Sequence, residues 1–317
     1  MYHRVIETDS DPWSLCVSPQ NFAAHLEVLR RYTQPIPLTT LNQSVKAGKR
    51  LPRRVVLTFD DGYLDNLKYA KPLLEQYEIP ATVFVASGYL GENREFWWDE
   101  LEKFLLQPGQ LPETLTLNIN GTVHSWHLGN YANYSDSDFL RYRSWSADDG
   151  SYPTPRHSLY VELHRLLRTL SERDRRPLMD HLSTLAGNPQ PEARNDYRPL
   201  TRDEVQTLDQ GDWVKVGVHT TTHPLLELLP IEQQKEEIQR CKAELEALLK
   251  RPITTFAYPY GNYSEATPDL VRDLGFSCAC TTNSGDVRPR SDRFQLHRMG
   301  VCNWTGEEFA RQLKQWF

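Results

Sequence analysis

The chain has 317 residues, 39% of them hydrophobic and 25% charged, with a formal net charge of −6. This composition excludes a chain dominated by disorder, and the acidic balance excludes a nucleic-acid partner held by neutralised phosphates. The length exceeds a usual domain of about 100–200 residues and fits one barrel, or one domain carrying an insertion.

Met1-Tyr2-His3-Arg4-Val5 reads at once as a structured segment, without the apolar core of a signal peptide. No run approaches the roughly 18 apolar residues that cross a bilayer, so the expectation is a cytoplasmic protein with no membrane span. The apolar run Val55-Val56-Leu57-Thr58-Phe59, bounded by Pro52-Arg53-Arg54 and by Gly62, predicts a buried strand that ends at Asp60-Asp61. Helical spacing follows over 64–77, and Ile79 to Ala86 predicts the next strand.

Residues 96–205 differ in character. They open on Phe96-Trp97-Trp98-Asp99-Glu100, carry a predicted hairpin over 115–123 about Asn120-Gly121, and show helical patterns over 159–171 and 175–186. The charge run Glu172-Arg173-Asp174-Arg175-Arg176 reads as a solvated helix face. This segment reads as an insertion between two halves of one domain, 1–95 and 206–317. Insertions of this kind commonly shape a cleft, and the helices offer a homodimer contact as the other use. Trp97, Trp98, Trp126 and Trp145 are either sugar-stacking platforms or core.

Alternation resumes with the strand pattern Trp213 to Val218, which stops at His219-Thr220-Thr221-Thr222-His223-Pro224. An amphipathic helix over 230–250 follows, then a strand at 253–256, a helix near 264–274 and a strand at 276–281. Repeated βα units imply a parallel sheet, open or closed. The five cysteines, Cys16, Cys241, Cys278, Cys280 and Cys302, have no zinc-ribbon spacing and read as buried thiols.

Two carboxylates and two imidazoles thus fall at the C-terminal ends of two predicted strands, the edge where parallel α/β folds build active sites. Buried carboxylates need a partner or a metal. Two histidines and one carboxylate form a three-ligand set suited to Zn²⁺, and less selectively to Co²⁺, Ni²⁺ or Mn²⁺, with a position left for water. The remaining carboxylate is then a candidate base. Taken singly, the halves also read as a surface Asp-Asp turn and a pair of capping histidines.

Thr58-Phe59-Asp60-Asp61-Gly62 and His219-Thr220-Thr221-Thr222-His223-Pro224 resemble the first two motifs of the polysaccharide deacetylases, carbohydrate esterase family 4, which share the nodulation-type chitooligosaccharide deacetylase domain. The resemblance implies an α/β fold, a distorted (β/α) barrel of about seven parallel strands, here interrupted by a long, mostly helical insertion. It also implies that Asp60 is the general base and that Asp61, His219 and His223 hold the metal. The third family motif, Arg-x-Pro-Tyr, is matched by Ala257-Tyr258-Pro259-Tyr260 without its arginine, which in the family orients the base; Arg298 or another cation is the candidate replacement. The Tyr260 N–H is the implied oxyanion donor, although Pro259-Tyr260-Gly261 alone also reads as a plain turn.

Phe294-Gln295-Leu296-His297 resembles the last motif, which makes His297 the implied general acid. The Asp and Trp pair that positions this acid in the family has only Asp286 and Asp292 as substitutes. His3, on an opening strand also similar to the family's, is a candidate neighbour of the cleft. The expected chemistry is metal-assisted hydrolysis of an acetamide on a glycan, oligosaccharide or glycan precursor, releasing acetate and an amino sugar. The alternatives are a glycan-binding protein that has lost turnover and a scaffold in envelope-polysaccharide assembly.

Overall fold

The computed structural model describes residues 1–316. The chain forms two compact units, one from Met1–Glu7, Leu15–Glu92 and Pro199–Phe317, the other from Thr8–Ser14 and Asn93–Arg198. The sequence boundaries at 95 and 206 differ from these. Thr8–Ser14 joins the second unit, because Trp13 packs 4.5 Å from the His164 ring and the Pro12 carbonyl accepts from the Ala147 N–H.

The first unit is built on five strands, β1 (Leu57–Phe59), β2 (Ala81–Val85), β3 (Val214–Val218), β4 (Thr255–Ala257) and β5 (Cys278–Cys280). They lie in the order β5-β4-β3-β2-β1, and every neighbouring pair is parallel. Consecutive strands are neighbours and the order never reverses, which is the winding of a barrel rather than of a doubly wound sheet. Five strands pair here, against about seven expected. Single parallel bridges at the two edges, Tyr2 to Phe59 and Cys280 to Leu296, extend the order by one residue each.

Near-continuous apolar strands are what a sheet covered on both faces requires. Every residue of β1, β2, β4 and β5 is buried, and in β3 only Lys215 is exposed. Helices α1 (Pro19–Tyr32), α2 (Lys71–Gln76), α3 (Arg202–Asp209), α4 (Ile231–Leu249), α5 (Thr267–Asp273) and α6 (Gly306–Gln315) belong to the same unit. One π-helical stretch, Asn66–Ala70, precedes α2, so the predicted helix over 64–77 is not a single regular one. On α4 the buried stripe is Gln234, Ile238, Cys241 and Leu245. Cys16, Cys241, Cys278 and Cys280 are buried, as expected, whereas Cys302 is only half-buried; burial pushes the Cys241 and Cys280 thiols up to about 11.

In the second unit the hairpin strands Thr114–Ile119 and Thr122–His127 pair antiparallel about Asn120-Gly121, with φ of 53° and 81° at the turn, the left-handed pair that a two-residue hairpin loop demands. Helices Pro155–Leu167 and Glu172–Leu185 follow. Trp97 and Trp98 are core residues, at 4% and 6% exposure. The solvated face expected at 172–176 is wrong at Arg175, whose buried guanidinium reaches Glu172 at 2.7 Å and the Leu170 carbonyl at 3.3 Å. Among the described residues no helix is long and apolar enough to cross a membrane.

Candidate metal centre

Asp60 and Asp61 leave β1 through a left-handed turn, with φ of 76° at Asp61 and 88° at Gly62. Extended backbone would send the two carboxylates to opposite sides; the turn abolishes that alternation. Gly62 has two reasons to be glycine, since a Cβ there would also meet the Val85 methyls at 3.1 Å. The Asp61 carbonyl accepts from the Ala86 N–H at 3.2 Å and the Val85 carbonyl from the His219 N–H at 3.1 Å, so the C-terminal end of β2 ties both motifs together. After β3, Thr220 and His223 are again left-handed, at φ of 65° and 55°, and the Thr220 hydroxyl accepts from the His223 N–H at 3.1 Å. Non-glycine residues hold such conformations at a cost of about 1–3 kcal/mol each, and their clustering here marks a site.

The His219 and His223 Nε2 atoms stand 3.4 and 3.3 Å from Asp61 Oδ1. All three side chains are buried, and their ligand atoms lie within 4.8 Å of one another. His219 Nδ1 is 2.7 Å from the Ala257 carbonyl, which can only accept, so this nitrogen carries the proton. In the neutral ring Nε2 then presents a lone pair to a carboxylate oxygen. Two acceptors in contact inside a protein call for a cation between them. Ligand atoms about 2.1 Å from a tetrahedral ion stand about 3.4 Å apart, which these separations match. The donor set and its spacing fit a divalent metal.

A proton on an imidazole Nε2 is the other cation that fits between these atoms, and the electrostatics are those of that case. Burial works to raise the Asp61 pKa, but hydrogen bonds from His219 and His223 and the nearby imidazole charges outweigh it and hold the carboxyl well below its usual range. For His219 burial opposes the charged form, yet Asp61 and Asp60 push its pKa up; at His223 burial prevails and the pKa falls.

Asp60, 2% exposed, is gripped on both oxygens by Arg298, Nη1 to Oδ1 and Nη2 to Oδ2, each at 2.7 Å. The guanidinium also donates to the Thr58 hydroxyl at 3.1 Å and the Thr281 carbonyl at 2.8 Å, which fixes the plane of the fork. Burial alone raises the Asp60 pKa; Arg298, followed by His219, reverses this and keeps the carboxylate ionised.

Tyr260 is left-handed at φ 56°, and its ring meets that of His223 edge to face at 4.5 Å. His297 is exposed, while Leu296 and Arg298 on either side are buried. The His297 ring lies beside Gly285 and near Asp286. His3 is half-buried, and its charge acts on both Asp60 and Asp61. The His3 carbonyl accepts from Asn66 Nδ2 at 2.8 Å, and the neighbouring Arg4 pairs with buried Asp65 at 2.9 Å. Asp286 pairs with Arg288, and Asp292 accepts from the Phe294 N–H and from Gln295, so both substitutes for the missing Asp and Trp pair are engaged locally.

The sequence profile described as polysaccharide deacetylase matches residues 47–149 and 179–279, more than half of the chain. The chain belongs to the polysaccharide deacetylase family. A curated relative, YxkH of Bacillus subtilis (strain 168), named a polysaccharide deacetylase, is 30% identical over 126 residues, 38% of this chain and 43% of that protein. The match therefore spans less than half the length of that relative. Among solved structures, Streptococcus pyogenes deacetylase PplD in complex with acetate aligns over 99% of this chain and 96% of its own, at 17% identity and a TM-score of 0.59. IcaB from Ammonifex degensii aligns over 99% and 94%, at 18% and 0.60. At these identities the likeness is one of fold.

Within the polysaccharide deacetylase pattern Ala257 stands where the arginine is missing, and Asp60 is gripped by Arg298, 41 residues further along the chain. The signal for Arg298 lay in the alternation Phe294, Leu296, Arg298, which puts an arginine at an inward position where its charge needs hydrogen-bonding partners. Nothing in sequence spacing gave His3 the same standing, because its nearness to Asp60 is made by the bridge between Tyr2 and Phe59.

Proposed function

We propose that this chain is a metal-dependent hydrolase that removes N-acetyl groups from an amino-sugar polysaccharide, oligosaccharide or glycan precursor. The observation that carries the reading is the buried Asp61, His219 and His223 set beside a second carboxylate held ionised by Arg298. Membership of the polysaccharide deacetylase family supplies the reaction class.

Asp61, His219 and His223 hold the ion, most simply Zn²⁺, with Co²⁺, Ni²⁺ or Mn²⁺ as other occupants. When bound, it supplies Lewis acidity toward a carbonyl oxygen and lowers the pKa of a coordinated water toward about 7. Asp60 takes the proton of the attacking water; Arg298 fixes the direction in which its lone pairs point. The Tyr260 N–H is assigned to the developing oxyanion. As proton donor to the leaving amine we take His3 over His297, because the charge of His3 acts on both carboxylates and His297 is exposed. Products are acetate and the free amino sugar.

The test is acetate release from a panel of N-acetylated oligosaccharides, with chelator and with Zn²⁺ restored. Chelator-sensitive release supports the reading; saturable binding of a glycan without release would instead make the chain a binding protein on this fold. The choice of acid is read from His3→Ala and His297→Ala, of which only the first should abolish turnover. Loss confined to His297→Ala returns the role to His297.

A further inference from the structure

The histidine loop is held from outside by one carboxylate on α4. Glu237 Oε2 accepts from two successive backbone N–H groups, Thr221 at 3.0 Å and Thr222 at 2.8 Å, and its Oε1 accepts from the Thr222 hydroxyl at 2.8 Å. The Thr221 hydroxyl returns a bond to the Glu237 carbonyl at 3.1 Å. These N–H groups follow left-handed Thr220, the backbone form in which successive amides converge into an anion-binding hollow. Within this unit the carboxylate fills a nest made by the segment that joins the two imidazoles.

The opposite side of the segment is also fixed. The Thr220 and Thr221 carbonyls accept from the Ser87 and Gly88 N–H groups at 3.2 and 2.8 Å, and a Cβ on Gly88 would stand 2.6 Å from the Thr221 oxygen. Helix α4 itself is a firm base, since Ile238, Cys241 and Leu245 are fully buried and Cys241 Sγ donates to the Val85 carbonyl at 3.4 Å. The chain of contacts runs from α4 through Glu237 to Thr221 and Thr222, and from them to His219 and His223 on either side.

We propose that Glu237 is a positioning residue for metal binding: it touches neither ion nor substrate, and holds the loop in the strained form that lets both Nε2 atoms meet Asp61. The inference rests on the metal reading of the site given above. Charge-assisted bonds to backbone N–H groups are about twice as strong as neutral ones, and they offset the left-handed strain at Thr220 and His223. Removing an outer support of a ligand typically weakens metal affinity by about 10–100-fold.

Zn²⁺ affinity is measured by competition with a chromophoric chelator, and the ligand field by the visible spectrum of the Co²⁺ form, for the wild type, Glu237→Ala, Glu237→Gln and Glu236→Ala. Glu237→Ala should bind Zn²⁺ about 10–100-fold more weakly, with an altered Co²⁺ spectrum. Glu237→Gln keeps one acceptor and should fall between Glu237→Ala and the wild type. Glu236 is exposed on the same helix, and its removal should change nothing. Wild-type affinity and spectrum in Glu237→Ala would overturn the proposal while leaving the metal site standing. Should Glu237→Ala not fold, Glu237→Gln decides: unchanged affinity and spectrum overturn the proposal, and a partial loss supports it. Absence of Zn²⁺ binding by the wild type sinks both readings together.

Discussion

Asp60 and Asp61 are adjacent in the chain and distinct in their partners, one held by a guanidinium and one by two imidazoles. Asp60→Asn should lower turnover by about 10²–10⁴-fold, the usual worth of a general base, while Zn²⁺ affinity stays within a few-fold. Near-normal acetate release by this variant would end the base assignment. Arg298→Met removes the charge that opposes burial, so the Asp60 pKa rises and the acid limb of kcat/KM moves to higher pH. An unmoved limb in a folded variant would show that Arg298 does not tune the base. Both carboxyls are lowered below their unfolded value, so their contribution to stability is complete above the unfolded carboxylate range. It is lost as pH falls through the still lower folded values. Both motifs were legible from strand ends followed by clustered acids and imidazoles. The arginine was legible only as one option, because a partner 238 residues away leaves no spacing rule to find it by.

Element by element, the sequence announced apolar strands better than the places where they stop. The single run read at 55–59 breaks at Val56, so that Arg54–Val55 pairs with Gln34–Pro35 and Leu57–Phe59 pairs with β2. Periodicity cannot show that break, since both pieces are apolar and the difference lies in the partners. The π-helical stretch before α2 is invisible for a similar reason: Asn66 is spent on the His3 carbonyl and the Asp65 carboxylate, contacts made by tertiary neighbours. Gly217 is a glycine that could be suspected but not explained from sequence. A Cβ there would meet the Phe84 ring at 2.5 Å and the Thr255 hydroxyl at 2.8 Å, both on strands flanking β3. Gly217→Ala should therefore destabilise the chain by about 1–3 kcal/mol, the usual range for overpacking, seen as a lower denaturant midpoint at unchanged m. An unchanged midpoint would mean that β2 and β4 yield without strain. Because His219 follows directly on β3, the same substitution should also weaken Zn²⁺ binding.

For the whole molecule, buried histidines are of two kinds. In the first unit, His219 and His223 are tied to the Asp61 carboxylate. In the second, His157 and His164 lie among aromatic rings: Trp145 stands 4.6 Å from His157, and Trp13 and Trp97 stand 4.5 and 5.1 Å from His164. Burial pulls these two down from the ordinary 6.5 to about 4 and about 3. A histidine with a depressed folded pKa favours folding fully above the unfolded value. As pH falls below 6.5 the unfolded chain takes up the proton first, and stability drains until the folded pKa is reached. Each pK unit of that window is worth about 1.4 kcal/mol, so between pH 7 and pH 5 each histidine withdraws at most about 2 kcal/mol. The unit has five of the eight tryptophans, Trp13, Trp97, Trp98, Trp126 and Trp145, so fluorescence reports chiefly on it. The fluorescence-detected melting temperature of the intact protein should fall between pH 7 and pH 5, and His164→Phe should flatten that slope because phenylalanine keeps the ring contacts without the proton. A slope unaltered by His164→Phe, in a variant that melts cooperatively, would place the acid sensitivity elsewhere, with His25 of the first unit, pulled down to about 4 by burial, as the next residue to replace.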